Sequence, residues 1–175
     1  MNFNILHRRL MQDVLEIGKG LPLVITGGYA AQMHQLVDRL SRDLDVATDS
    51  AIPMEDTSYG PVLALYDVIG TKVRALAGRG LPRDLIDIHA ASRLCSNIEL
   101  ESLGRCHAWD EEFSLSELKA RLEGAEWYDD QAFAEYGLSV EEITELRMWA
   151  LAWAEDIVRR IIADAYEEDI EDEPL

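Results

Sequence analysis

Apolar and polar positions alternate with two different rhythms along this chain. Residues Phe3 to Ile17 place Ile5, Leu6, Leu10, Val14, Leu15 and Ile17 at close to helical spacing, and Gly18 and Gly20 end the run. This predicts a short amphipathic helix packed against the next element, with His7, Arg8 and Arg9 on the surface. The apolar run Leu21 to Ile25 predicts a buried strand, and Gly27-Gly28 then lets the backbone turn sharply into a helix from Tyr29 to about Val37. A second strand is expected from Ser41, with Asp43 and Asp45 on one face and Leu44 and Val46 on the other. A polar loop, Asp49 to Ser58, leads to a third strand over Val62 to Leu65. Asp67 is placed to cap a helix reaching about Leu76. Gly78 and Gly80 break that helix, and Pro82 restarts it through RDLIDIHAASRL, whose Leu85, Ile86 and Ile88 contribute to the core.

From Ser92 onward the pattern is helical. Asn97 to Arg105 forms one helix, and Ser114 with Glu117 three residues on starts another, ending at Leu122. Ser139 and Glu142 start the last, from about Val140 to Tyr166, with a stripe through Ile143, Leu146, Trp149, Trp153, Ile157 and Ile161. Trp149 and Trp153 read as core rather than as a base-stacking platform. The expected fold class is α/β (α+β), a small sheet with flanking helices followed by a helical C-terminal part. The expected division is an α/β domain over residues 1–93, a helical domain over 94–166 and a disordered acidic tail over 167–175.

Composition adds limits. The chain has 175 residues, 48% of them hydrophobic and none in low-complexity tracts, which suits a folded, soluble protein. No apolar run is long enough to span a bilayer, and MNFNILHRRL lacks the apolar core of a signal peptide, so a cytoplasmic location without membrane association is expected. Cys95 and Cys106 are the only cysteines, and reduced thiols are expected; His107 beside Cys106 is too sparse a set for a metal site. The net charge of −18 is lopsided: Met1 to Arg93 holds 10 Lys or Arg against 11 Asp or Glu, and Leu94 to Leu175 holds 6 against 23. A polyanion must therefore approach the first part, because the second repels it. The acidic part suits either a basic partner or simple solubility.

The candidate chemistry lies between Thr26 and Asp45. A diglycine turn at a helix start offers amides to an anion such as phosphate, and two like-charged carboxylates side by side are best understood with a divalent cation between them. Either motif alone is more readily a plain turn or a solvated strand edge. In this order they fit a Mg²⁺-dependent phosphoryl or nucleotidyl transfer.

GGYA followed by DLD is similar to the glycine-rich turn and paired aspartates of the nucleotidyltransferase superfamily. More closely, TGGYA, RLSRDLDVAT, DVIGTKVRAL and RDLIDIHAAS together resemble the bacterial AbiEii/AbiGii toxin family, over about Leu21 to Arg160. The resemblance implies catalytic Asp43, Asp45, Lys72 and Asp84, with Asp43 and Asp45 holding Mg²⁺. It also implies nucleotide binding by Thr26, Gly27, Gly28, Lys72, Arg83 and Asp87. Its implied substrates are an NTP and a nucleic-acid acceptor such as tRNA or another RNA, and its implied partner is a cognate antitoxin. One segment departs from the pattern: members carry further elements between the paired aspartates and the helix with Lys72, the last a strand bearing a third carboxylate. This chain passes from MED directly to TSYGPVL, a shortened sheet, and leaves only Asp67, Glu55 or Asp56 as replacements. Two alternatives follow, a catalytically inactive shortened relative kept as a binding or partner protein, and a helical interaction module working through its acidic part.

Overall fold

A computed structural model describes residues 4–39, 41–48, 54–107 and 113–171, with side chains described as far as residue 163. Among these residues the chain forms helix α1 (Ile5–Ile17), strand β1 (Leu23–Ile25), helix α2 (Gly27–Met33), strands β2 (Val46–Thr48), β3 (Met54–Thr57) and β4 (Gly60–Leu63), and then helices α3 (Leu65–Arg79), α4 (Pro82–Ala91), α5 (Asn97–Cys106), α6 (Leu115–Glu123), α7 (Asp130–Ala134) and α8 (Val140–Glu171). The strands make one mixed sheet in the order β2-β1-β4-β3. β1 runs antiparallel to β2, with Val24 opposite Ala47, and parallel to β4, with Ile25 opposite Val62. β3 and β4 form a hairpin closed by Thr57 and Gly60. The α+β class expected from the pattern is therefore present.

Several boundaries move, each for a local reason. α2 stops at Met33 because Gln35 takes a left-handed conformation, φ 57°, and Gln32 Nε2 then donates to the Arg39 carbonyl at 2.7 Å, pinning the return loop. β2 begins at Val46, not near Ser41, because the Ser41 hydroxyl donates to the Asp43 carbonyl at 3.0 Å and offers that segment a turn instead of a ladder. Asp43 and Asp45 thus precede the strand, although Thr26 N–H still donates to the Asp45 carbonyl at 2.9 Å. Glu55 and Asp56, expected on a loop, lie exposed on β3; residues 49–53 of that expected loop lie outside the described residues. Asp67 does not cap α3: the N-cap is Ala64, with no side-chain cap. α8 runs to Glu171, five residues beyond the expected end, and residues 172–175 of the expected tail lie outside the described residues.

α1 is less buried than its spacing suggests. Met11 is its one buried residue, while Ile5, Leu6, Leu10 and Ile17 stay exposed. Arg8 and Arg9 are exposed as expected, and His7 is half-buried: its Nδ1 meets the Tyr29 hydroxyl at 2.6 Å, edge-on to the ring.

Two apolar clusters meet at α3. One joins Met11, Val24, Ile25, Tyr29, Ala30, Val62 and Val68 around the sheet, and the other starts at Ile69 and runs through α4 to α8 as far as Ile157, with Leu36 packed against both. Consecutive residues of α3, Val68 and Ile69, thus face different cores, which fixes this helix between the sheet and the bundle. Trp153 is fully buried, its indole N–H donating to Glu101 at 2.9 Å, and Trp149 packs between Trp153 and His89. Trp153 is core, as its spacing implied, and Trp149 packs half-buried against it. His89 is likewise a packed side chain, and burial pushes its pKa down.

Candidate functional site

The bend between β1 and α2 sets the geometry. Gly27 sits at φ +65°, and a Cβ there would collide with the Asp45 carboxylate. A Cβ at Gly28 would collide with the Ser41 hydroxyl. Both glycines therefore exist in contact with the acidic segment, which lies directly over the bend. Gly27→Ala combines a strained backbone with displacement of Asp45. It should leave a folded protein with Asp45 displaced and a lower urea midpoint, a loss of roughly 1–3 kcal/mol.

Basic side chains face this segment from α3 and α4. Lys72 is 7% exposed, and its Nζ lies 2.8 Å from Asp87 Oδ2. Arg39 reaches the same fully buried Asp87 with two bonds, Nε to Oδ1 at 2.7 Å and Nη2 to Oδ2 at 2.6 Å. Burial works against the Arg39 charge, yet the bonds and charge of Asp87, with Tyr136 and Asp84, carry its pKa upward. Arg79 makes an equivalent fork onto Asp84, 2.8 Å at both oxygens, and Asp84 also accepts the Leu81 N–H at 3.1 Å. The Asp84 bonds are the main reason the Arg79 pKa is raised, with Asp43 and Asp45 adding to it through space. Arg83 Nη1 lies 3.7 Å from Asp43 Oδ2, and its buried Nε has no hydrogen-bond partner among the described residues.

These groups surround one cleft of about 540 Å³. Of the residues singled out in the sequence, Thr26, Gly27, Gly28, Asp43, Asp45, Lys72 and Arg83 line it. Asp84 and Asp87 do not line it; they lie fully buried behind it, each fastening cations that do. The cleft also gathers Arg39, Ser41, Asp67, Thr71, Arg79 and His107, of which Arg39, Ser41 and His107 were not singled out as site residues. Arg39 and Ser41 stand in the RLSRDLD motif already quoted, so a signal for them existed; His107 comes from the far end of α5, and nothing local announces it.

The donor set bears on a metal. Asp43 and Asp45 are exposed carboxylates, hard oxygen ligands, and among the described residues no group of three or more His, Cys, Asp or Glu could hold a metal ion. That fits Mg²⁺, which is commonly bound by one or two carboxylates with substrate phosphates and water completing its shell. It does not fit a closed structural zinc site.

Residues 60–157, more than half the chain, match the family model described as nucleotidyl transferase AbiEii toxin, type IV TA system. The chain belongs to the AbiEii family. Comparison with curated proteins and with solved structures finds no match. AbiEii proteins are nucleotidyltransferase toxins of type IV toxin–antitoxin systems. The matched region contains Lys72, Arg79, Arg83, Asp84 and Asp87, whereas the diglycine bend and the paired aspartates precede it. The fold joins the two parts: Arg83 reaches back to Asp43, and Asp87 to Arg39. Among the described residues of this AbiEii protein, no helix is long and apolar enough to cross a membrane.

Proposed function

We propose that this AbiEii-family protein transfers a nucleotide from an NTP to a nucleic-acid acceptor, tRNA or another RNA, in the cytoplasm of a cell that also carries a cognate antitoxin. The observation that carries the reading is the contact between Gly27 and Asp45, which sets one carboxylate over a glycine bend in the same cleft as Asp43, Lys72, Arg79 and Arg83. Asp43 and Asp45 would hold Mg²⁺, which when bound shields phosphate charge and draws electron density from the α-phosphorus. Gly27 and Gly28, having no side chains, let Asp45 and Ser41 close onto the bend, which holds the acidic segment in place beside the cleft cations. Lys72 offers a compact charge held in place by Asp87, and Arg79, whose Nε and Nη2 are taken by Asp84, adds its positive charge to the cleft wall. Arg83, 3.7 Å from Asp43 and on the same cleft wall, would place its guanidinium against a phosphate bound there. Asp84 and Asp87 act on this geometry through the cations they hold rather than by touching nucleotide.

The placement of these cations agrees with the charge split of the sequence, because the polyanionic acceptor must enter over the near-neutral first part of the chain. The direct test incubates the protein with each labelled NTP, Mg²⁺ and total tRNA, and follows label on RNA. Label transferred to RNA supports the reading. NTP bound but never transferred identifies an inactive relative, and no NTP binding at all removes the site assignment.

A further inference from the structure

A second pair of side chains, Asp67 and His107, stands on the cleft wall. Asp67 stands in the first turn of α3 but leaves the helix uncapped, and its Oδ1 lies 3.1 Å from His107 Nε2. His107 is the C-cap residue of α5. It reaches Asp67 because position 70, one turn along α3, is glycine: a Cβ there would collide with the imidazole and lie 2.8 Å from the Leu103 carbonyl oxygen. Gly104 makes the same allowance on α5, since a Cβ there would lie 2.7 Å from Val73 Cγ1. Two glycines, one on each helix, thus bring α3 and α5 close enough to seat the pair. Both side chains remain partly open, 25% exposed for Asp67 and 17% for His107, and both line the cleft.

Asp67 and His107 join the paired aspartates in no described group of three that could hold a metal. A half-open carboxylate oriented by an imidazole, on the wall of a cleft built for phosphates, suits a proton acceptor better than a further cation ligand. A purely structural ion pair would not require both halves to line the cleft.

Resting on the transferase reading, we propose that Asp67 is a further catalytic residue that accepts the proton of the attacking hydroxyl, and that His107 positions it. In that step the acceptor oxygen bonds to the α-phosphorus, the bond from that phosphorus to the bridging oxygen breaks, and pyrophosphate leaves with the bonding electrons. The hydroxyl proton passes to Asp67 Oδ2, and from there to water. His107, donating from Nε2 to Oδ1, keeps the second oxygen turned toward the acceptor.

Three variants test this: Asp67→Asn, His107→Ala and His107→Gln, each measured for NTP affinity by calorimetry, for kcat and acceptor KM, and for thermal unfolding. Asp67→Asn should lower kcat about 10²-fold with NTP affinity and melting temperature unchanged. His107→Ala should lower kcat roughly tenfold, and His107→Gln, whose amide N–H can still reach Asp67, should recover most of it. Since the histidine variants leave Asp67 in place, they test the positioning role even if Asp67→Asn folds poorly. Wild-type kcat in Asp67→Asn, NTP affinity falling in step with rate, or equal behaviour of the two histidine variants overturns the proposal. A wild-type protein that transfers nothing removes the transferase reading itself, whereas transfer that ignores Asp67→Asn removes only the proton acceptor.

Discussion

Asp45→Asn is expected to lower nucleotide transfer by about 10³-fold or more, roughly 4 kcal/mol of transition-state stabilisation, while leaving the fold intact. Asparagine has nearly the same shape, so the close approach to Gly27 and the Thr26 N–H bond to the backbone carbonyl of residue 45 survive. What disappears is one negative charge in a segment that has no third acidic partner for a cation among the described residues. The side chain is exposed, so no buried partner is left unpaired by the change. Asp43→Asn differs in one respect: it also releases Arg83, which lies 3.7 Å from the Asp43 carboxylate. A freed Arg83 can bind phosphate without the cation, so Asp43→Asn should retain more NTP affinity in the absence of Mg²⁺ than Asp45→Asn does. Calorimetry with and without the metal, beside a transfer assay, reads both differences. Equal transfer by wild type and Asp45→Asn would place the chemistry elsewhere.

The parts of this site that could be read in the sequence are those encoded by local pattern. A strand, two glycines and a helix are a short-range signal, and so is DLD. The cleft indeed brings Thr26, Gly27, Gly28, Asp43, Asp45, Lys72 and Arg83 together. Two kinds of feature were not legible. One is competition between side chain and ladder: Ser41 bonding to the Asp43 carbonyl holds the aspartates outside the strand that alternation alone assigned to them. The other is long-range packing. His107 joins Asp67 across 40 positions, and Arg39 joins Asp87 across 48, contacts that exist only once α3 has been fixed between the two cores. The same limit explains α1, whose spacing promised a buried face. Short strands offer little surface to cover, so Met11 is buried and Ile5, Leu6, Leu10 and Ile17 remain in solvent.

Removing the Asp87 carboxylate should cost the protein about 3–5 kcal/mol of folding stability, because it strands two buried cations at once. Arg39, Lys72 and Asp87 are 6%, 7% and 0% exposed, so water cannot replace the lost bonds without opening the core between α2, α3 and α4. Against a typical total of about 5–15 kcal/mol, that is a large share, and Asp87→Ala should show a much lower urea midpoint. Asp87→Asn keeps the volume and one acceptor, so it should lose less. Coupling distinguishes this account from simple loss of packing. Lys72→Met made in the Asp87→Ala background removes one of the stranded charges and should restore part of the stability, whereas Lys72→Met alone should destabilise by unpairing Asp87 from one of its two cations. A double variant no more stable than Asp87→Ala would show that the carboxylate holds the fold by shape and not by charge. In that case Lys72 would be free to serve phosphate without a structural anchor, and the link between the buried triad and the cleft would have to be abandoned.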